Sequence, residues 1–393
     1  MRIDAHVHYT PPSMQENFAE FAEREPYWGL LISPDSDNHT IQGWATPERM
    51  IDDMDAAGID RVVVMAEYRL RHESCIERND QALEIIRRYP ERVTAFACIQ
   101  PRAGQAALDE LQRCLDGGML GVGELNPYGQ GHTLADPDFL AMVEMCIERD
   151  VPLNLHVSEE VGHYYPGKSA TPLRHYYELA QRYPELKLIL AHWGGGLFLY
   201  EIMPEVRKNL HNVWYDTAAS PLLYPTRKIF DIALRCVDHR KILFGSDYPL
   251  LIYPRRQAEP DMRPFLEEID TLELPSPVLE DVLGNNAARL LGWLEDDRPA
   301  AKPKQRPSVP ALDIPIAGLM PVTAVARQWP ETQAVFERHG IPCEDSPVAT
   351  WEPIMQAAAA RGMSPAEQNN LIVELNEALG SGPASEVQSD GLD

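Results

Sequence analysis

The hydrophobic positions along the chain fall into two alternating kinds of segment. Short apolar runs rich in β-branched residues, each bounded by polar or turn residues, predict strands, and they cover residues 2–6, 61–67, 93–99, 120–125, 152–157, 187–192, 213–217 and 241–246. Longer segments between most of them space their apolar residues as a helix does, and they cover residues 47–57, 77–89, 105–115, 136–149, 172–183 and 225–237. Eight strands alternating with helices predict an α/β fold, a (β/α)8 TIM barrel.

The segments outside this alternation indicate the domain organisation. Residues 9–45 form an insertion after the first strand, which we expect to act as a lid over one mouth of the barrel, and residues 277–293 predict a helix that closes it. Residues 295–315 are charged and proline-rich and cannot build a core, which is typical of a linker. The sequence therefore predicts a barrel domain at residues 1–294, this linker, a small all-helical domain at residues 316–380 and a polar tail at residues 381–393.

Composition and charge exclude several classes of protein. A chain of 393 residues with 44% hydrophobic content can bury a large core. Its formal charge of −25 argues against a nucleic-acid partner, because phosphate backbones are bound by clustered Lys and Arg. No apolar run approaches the roughly 20 residues that span a bilayer, and the sequence starts without a secretory leader. We therefore expect a cytoplasmic protein without a membrane partner, whose scattered cysteines are reduced and packed.

Side chains that can bind a metal fall at the ends of five predicted strands. They are His6, His8, Glu124, His156, His192 and Asp247. Barrel enzymes place their active sites at the carboxyl ends of the strands. The i, i+2 spacing of His6 and His8 aims both imidazoles to the same side of an extended chain. Three or more imidazoles with a carboxylate suit zinc or a similar divalent ion and leave a coordination position open for water or substrate.

Each of these residues alone also has an ordinary structural explanation. His156 fits a hydrogen-bonded core histidine, Asp247 fits a turn or helix-capping residue, and Glu124 fits a buried carboxylate paired with a base. Separate explanations do not account for so many such residues on one face of one barrel. The combination therefore predicts a metal site.

Several motifs resemble those of the amidohydrolase superfamily, in its amidohydrolase 2 branch of hydrolases, hydratases and decarboxylases. They are Asp4-Ala5-His6-Val7-His8, the strand-end His156, Leu190-Ala191-His192-Trp193-Gly194-Gly195, Phe244-Gly245-Ser246-Asp247-Tyr248-Pro249 and Asn285-Asn286-Ala287-Ala288-Arg289-Leu290. The resemblance covers residues 1 to about 294. It implies that His6, His8, His156 and Asp247 hold the primary metal. It also implies that His192 either ligates a second metal or acts as an acid and base.

The resemblance leaves the metal and its stoichiometry open. A Gly-Glu pair at the end of the fourth strand resembles the bridging carboxylate of family members with two metals, so we expect Glu124 to join the ligands. The implied cofactor is zinc, with manganese or iron as alternatives, as one or two ions. Asp247 and His192 are the implied catalytic residues.

Loops that follow the fourth and fifth strands supply candidate substrate-binding residues. They are Asn126, Tyr128, His132, Glu159, His163 and Lys168. Lys168 could pair with an anionic group of a small-molecule substrate, although a solvated loop lysine is the simpler interpretation.

Three hypotheses for function follow. The first is a metal-dependent hydrolase that directs a metal-activated water at an amide, a lactone or a related carbonyl, with Asp247 as the base. The second is a nonoxidative decarboxylase of an aromatic or unsaturated carboxylic acid. The third is an inactive metal-binding barrel that acts as an interaction scaffold. Glu124 favours hydrolysis, and a complete ligand set argues against the scaffold.

The predicted C-terminal domain resembles a small helical domain of unknown function found beside hybrid-cluster and iron–sulfur repair proteins. The residues that carry this resemblance are Trp329-Pro330-Glu331, residues 335–343 and residues 371–376. In that family a second cysteine often follows closely, but Glu344 and Asp345 follow Cys343 here. We therefore expect this domain to bind a protein partner or to form a homo-oligomer.

Overall fold

The computed structural model describes residues 1–32, 41–162, 165, 168–296, 316, 320–343 and 352–379. The chain divides into two compact units, Met1–Val309 and Pro310–Asp393. The predicted polar tail and most of the predicted linker lie outside the described residues.

Eight parallel strands form the core of the first unit. They are β1 (Ile3–Val7), β2 (Arg61–Met65), β3 (Val93–Ala97), β4 (Gly121–Leu125), β5 (Leu153–Leu155), β6 (Leu188–Leu190), β7 (Val213–Asp216) and β8 (Ile242–Leu243). Each strand pairs with the next one in the sequence. The backbone N–H of Ala5 donates to the carbonyl of Phe244 over 2.8 Å, and that of Asp247 donates to the carbonyl of His6 over 3.0 Å. These bonds join the two ends of the sheet, so the predicted TIM barrel is confirmed.

Helices separate successive strands. Before β8 they are Pro12–Glu16, Phe18–Arg24, Pro26–Ile32, Pro47–Ala57, His72–Arg88, Gln105–Asp116, Pro127–Gln130, Pro137–Glu148, Leu173–Arg182, Ala191–Gly194, Pro204–Asn209, Ser220–Leu223 and Thr226–Cys236, with 3-10 turns at Pro101–Ala103, Leu197–Ile202 and His239–Lys241. After β8 come Arg263–Asp270, Ser276–Glu280, a π-helical turn at Asp281–Asn285 and Asn286–Leu290.

Local sequence signals explain several helix ends. The Thr46 hydroxyl accepts from the backbone N–H of Arg49 at the start of Pro47–Ala57, and Gly58 ends this helix with a φ of 65°. A threonine cap followed by proline, and a left-handed glycine beyond the last turn, are the expected signals for these ends. The strands are buried on both faces, as expected for parallel strands covered by helices.

The closing segment differs from the prediction of one helix at residues 277–293. A π-helical turn at Asp281–Asn285 interrupts it, and the last helix ends at Leu290. A Cβ atom at Gly284 would lie 2.1 Å from the carbonyl oxygen of Met1, so only glycine fits this close approach to the start of the chain.

The described part of the second unit consists of helices. They are Val322–Gln328, Gln333–Arg338, Ile354–Ala360 and Pro365–Leu379, with a 3-10 turn at Pro330–Thr332. Its core includes Val322, Phe336, Ile354 and Leu371, all of which are fully buried. Across the described parts of both units, every helix is too short or too polar to cross a membrane.

Candidate metal centre

Strand β1 and the residue after it supply two imidazoles that meet. His6 is fully buried and His8 is 9% exposed. Their Nε2 atoms lie 3.2 Å apart. His6 Nδ1 lies 2.9 Å from the carboxylate of Asp216, and His8 Nδ1 lies 3.1 Å from the carbonyl of Met65. Because Nδ1–H of each ring has its own acceptor, the neutral form of each ring has its lone pair at Nε2. Two facing lone pairs repel unless a proton or a cation lies between them, so this pair fits a metal ion.

A second group of donors meets at Glu124, the fourth residue of β4. Its Oε1 lies 2.8 Å from His156 Nδ1 and 3.1 Å from His192 Nε2. Its other oxygen, Oε2, lies 3.7 Å from His6 Nε2. The side chain is buried and stands between the two pairs of histidines. Glu124 therefore occupies the place that a carboxylate shared by two ions would need.

Asp247 reaches the same place from the segment after β8. Its Oδ1 lies 3.1 Å from His8 Nε2 and 3.8 Å from His6 Nε2, and its Oδ2 lies 3.8 Å from His192 Nδ1. The six side chains predicted as ligands therefore converge, and we call them the ligand group. Two sets within it could each hold a metal ion, His6 with His8 and Glu124, and Glu124 with His156 and His192, since the donor atoms of each set lie within 4.8 Å of one another.

His192 lies in the short segment Ala191–Gly194, whose backbone is not helical at His192, and not in the predicted strand of residues 187–192. Strand β6 ends at Leu190, and His192 and Trp193 have positive φ values of 57° and 58°. Gly195 follows in the same left-handed region, and a Cβ atom there would lie 2.5 Å from the carbonyl oxygen of Ser158. The glycine run therefore allows the turn that brings the His192 ring back toward the barrel axis.

Burial and neighbouring charges set the pKa values in the ligand group. Burial alone would lower the pKa of His6, but Asp216 and Glu124 raise it to about 10. Burial also opposes the charged form of His192, and Glu124 and Asp247 raise its pKa to about 9. Burial would raise the pKa of Glu124, but His156 and His6 lower it well below its usual range. In the metal-free protein at neutral pH, His6 and His192 therefore carry protons while the carboxylates are ionised.

Metal binding should consequently depend on pH. An ion held by His6 and His8 must displace the proton of His6, whose pKa is raised to about 10. We expect the apparent affinity for Mn²⁺ to rise by at least about tenfold per pH unit between pH 6 and pH 8, because binding releases one or more protons in this range. Titration calorimetry in buffers of different ionisation enthalpy measures the released protons. An affinity that stays constant over this range would contradict the protonation states assigned above.

Two predicted substrate-binding residues lie among aromatic rings beside the ligand group. The Asn126 amide donates to the Tyr27 hydroxyl over 3.2 Å, and the rings of Tyr128 and Tyr27 are 6.3 Å apart. Tyr68 lies 5.7 Å from Tyr27 and 6.0 Å from the His156 ring, between ring centroids. Together with Trp28, whose ring is 5.2 Å from that of Tyr68, we call Tyr27, Tyr68 and Tyr128 the aromatic group.

The other predicted substrate-binding residues lie elsewhere or make contacts of their own. His132 stacks on Phe139, with 5.2 Å between ring centroids, and its described contacts do not include the ligand group. Glu159 and Lys168 pair with each other over 3.0 Å. His163 lies outside the described residues.

Sequence reasoning missed Asp216, the last residue of β7. One of its oxygens contacts His6 Nδ1 and the Asn154 amide, over 2.9 Å and 3.1 Å. Its other oxygen accepts from the backbone N–H of His192 over 3.0 Å. Asp216 therefore orients one ligand and also anchors the turn that carries another. Its position at a strand's carboxyl end, which also marks the ligands, was the signal that could have found it.

The sequence model of a protein family described as Amidohydrolase matches residues 3–293. The chain belongs to the amidohydrolase family. The chain is therefore an enzyme of this family, and the predicted resemblance is confirmed. The matched residues span the barrel and its closing segment.

Proteins similar to this chain include decarboxylases. A curated 2-amino-3-carboxymuconate-6-semialdehyde decarboxylase from Dictyostelium discoideum is 23% identical over 350 residues, which cover 74% of this chain and 92% of that protein. The solved structure of 5-carboxyvanillate decarboxylase from Novosphingobium aromaticivorans, in complex with manganese and 4-hydroxy-3-methoxy-5-nitrobenzoic acid, has a TM-score of 0.57 at 16% identity and covers 74% of this chain and 96% of its own. A dihydroxybenzoic acid decarboxylase from Polaromonas, with manganese and 2-nitroresorcinol, has a TM-score of 0.52 at 17% identity and the same two coverages. At these identities the solved structures support the shared fold.

Proposed function

We propose that this protein is a metal-dependent, nonoxidative decarboxylase of an aromatic or unsaturated carboxylic acid. The observation that carries the proposal is its similarity to the carboxymuconate-semialdehyde decarboxylase over 92% of that protein's length. The aromatic group supports it, because Tyr68 stands 6.0 Å from the His156 ring, where a flat, conjugated substrate beside the ligand group would stack. Manganese in two decarboxylases of this fold supports Mn²⁺ as the ion.

The ligand group and its neighbours suggest a role for each residue in the reaction. A divalent ion bound there would hold the substrate's carboxylate or an adjacent hydroxyl and polarise it. If His192 stays outside the coordination of that ion, it carries a proton at Nε2, because its pKa is raised to about 9, and it donates this proton to the substrate carbon bearing the carboxylate. The bond from this carbon to the carboxylate then breaks, CO2 leaves, and the bonding electrons return to the conjugated system. Asp247, ionised because His8 and His6 lower its pKa against the effect of burial, accepts the proton of a substrate hydroxyl or amino group.

A product screen tests this proposal. The protein is stripped with a chelator, reloaded with Mn²⁺ or Zn²⁺, and incubated with dihydroxybenzoic acids, 5-carboxyvanillic acid and other unsaturated acids in one arm. Esters, lactones and amides are used in the other arm. We expect CO2 release in the first arm, detected by a coupled assay, and no acid release in the second. Acid release without CO2 release would overturn the proposal in favour of hydrolysis.

Hydrolysis is the second candidate, and the position of Glu124 favours it. This carboxylate lies between two sets of donors, as a residue that bridges two ions and helps to activate water would. If Glu124 bridges, the wild type binds two Mn²⁺ per chain, and Glu124→Gln binds about one, because an amide is a much poorer bridge than a carboxylate. Elemental analysis after equilibrium dialysis measures the ratio.

Glu110→Gln is the matched control for that substitution. Glu110 and Glu124 have side chains that are each 5% exposed, and Glu110 pairs with Arg113 outside the ligand group. The control should keep the wild-type metal content. A wild type that never exceeds one ion per chain removes the bridging role and with it the specific support for hydrolysis.

A further inference from the structure

The two ring nitrogens of His156 have different surroundings. Nδ1 faces the ligand group, 2.8 Å from Glu124 Oε1 and 3.1 Å from His192 Nε2. The other nitrogen, Nε2, lies 3.3 Å from the hydroxyl oxygen of Ser158. Within the described part of the chain, this hydroxyl is the hydrogen-bond partner of Nε2. An ion held together with Glu124 and His192 would therefore bind His156 through Nδ1, and Nε2 would then carry the hydrogen of the ring.

Ser158 is held by two neighbours in the loop after β5. It is 4% exposed, and its hydroxyl oxygen accepts from the backbone N–H of Ser169 over 2.9 Å. The Tyr165 side chain also hydrogen bonds to that of Ser158, while its own hydroxyl donates to the carboxylate of Glu159 over 3.1 Å. A hydroxyl oxygen has two lone pairs. After the bond from Ser169, one lone pair of Ser158 remains for His156.

A hydroxyl suits both states of the His156 ring. In the neutral ring without an ion, Nδ1–H donates to Glu124 and Nε2 accepts from the Ser158 hydroxyl. With Nδ1 used as a ligand, the ring hydrogen moves to Nε2. The same oxygen of Ser158 then accepts it, and the hydroxyl hydrogen turns to Tyr165. An ionised carboxylate could not donate in the first state, and a backbone N–H could not accept in the second. Ser158 therefore satisfies Nε2 both before and after metal binding.

We propose that Ser158 is the positioning residue of His156 and fixes its ring so that Nδ1 binds the ion. A ligating histidine usually donates its second ring N–H to a neighbour, which sets the orientation and the tautomer of the ring. Ser158 also adjoins the segment that carries His192, since its carbonyl oxygen would lie 2.5 Å from a Cβ atom at Gly195. The inference rests on metal binding by the ligand group, and it holds for decarboxylation and hydrolysis alike.

Ser158→Ala tests the proposal, because it removes the hydroxyl and leaves every ligand atom in place. It should weaken Mn²⁺ binding by about 10–100-fold, the usual cost of losing the partner of a ligating side chain. Ser169→Ala is the matched control. Ser169 is a buried serine of the same loop, its hydroxyl donates to Thr171, and its backbone N–H remains available to Ser158. This variant should bind Mn²⁺ as the wild type does, measured on the full chain against a calibrated fluorescent chelator.

Thermal unfolding of the metal-free proteins separates this role from a purely structural one. Both variants lose a buried hydroxyl, so both should lower Tm by similar amounts, but only Ser158→Ala should also lose Mn²⁺ affinity. Equal affinities in Ser158→Ala and Ser169→Ala would overturn the role of Ser158 and leave the metal site and the proposed decarboxylation intact. A wild type that binds no Mn²⁺ would overturn the metal site, and this inference with it.

A measurement on the wild type gives a result that does not depend on these variants. Nitrogen NMR of the zinc-loaded protein, with ¹⁵N-labelled histidines, distinguishes a metal-bound nitrogen from one that carries a hydrogen. Zinc takes the place of Mn²⁺ in this experiment because it is not paramagnetic. We expect His156 to bind the metal through Nδ1 and to carry its hydrogen at Nε2, with its signals assigned by their loss in His156→Gln. Metal at Nε2, or a His156 ring without metal, would overturn the proposal.

Discussion

Replacing Asp247 with Asn is expected to lower kcat/KM by about 10³-fold on the best substrate from the product screen. The variant keeps the shape of the side chain but loses the charge that accepts a proton, and positioned acid–base groups contribute about 10²–10⁴-fold. Such a loss corresponds to about 4 kcal/mol of transition-state stabilisation. Initial rates of CO2 release, with the metal content of each sample measured in parallel, give the effect per bound ion.

Asp53→Asn is the control for this substitution. Asp53 accepts a hydrogen bond from the hydroxyl of Tyr248, the residue next to Asp247, over 2.6 Å, and it lies outside the ligand group. The control should stay within about threefold of the wild type, because it removes no group that moves a proton. An Asp247→Asn protein that keeps more than about a tenth of the wild-type rate with a full complement of metal would exclude Asp247 as the base.

His8→Ala should weaken Mn²⁺ binding by more than about 100-fold. Changing a residue that only supports a ligand costs about 10–100-fold in affinity, and His8 is placed to be a ligand itself, with its Nε2 3.2 Å from His6 Nε2 and 3.1 Å from Asp247 Oδ1. Asp216→Asn leaves the donor atoms in place but weakens the hydrogen bonds that orient them. It should weaken Mn²⁺ binding by about 10–100-fold. Competition against a chelator of known affinity measures both.

His132→Ala separates loss of a ligand from loss of packing. His132 is 6% exposed, close to the 9% of His8, but stacks on Phe139. Its removal should lower the free energy of unfolding and leave Mn²⁺ affinity unchanged. If His8→Ala and His132→Ala retain the same metal content through dialysis, His8 is not a ligand.

The barrel and most of the ligand group could be predicted from the sequence because both depend on local patterns. Strands buried on two faces appear in the sequence as unbroken apolar runs. The geometry of the strand then determines the direction of a histidine side chain at its end. The turn at His192 was less predictable. Its left-handed backbone depends on packing around Gly195, which is a tertiary contact.

Contacts between distant segments account for what the sequence did not predict. Tyr27 lies in the insertion and Tyr68 follows β2, and nothing in either segment indicates that their rings pack together. Asp216 is a single acid at a strand end without a motif, and its importance appears only with its contacts to His6 and His192. His132, predicted from its loop position to bind substrate, stacks on Phe139, a contact that the sequence does not indicate.

The hydrogen bonds between β1 and the segment after β8 have a consequence for biosynthesis. Asp247 N–H donates to the carbonyl of His6, and His8 N–H donates to the carbonyl of Tyr248. The ribosome makes the two histidines first, and their carboxylate partner emerges only after nearly the whole barrel has been translated. The nascent chain must therefore keep its first strand unpaired on one edge until the last strand arrives, and the ligand group is complete only at that final stage.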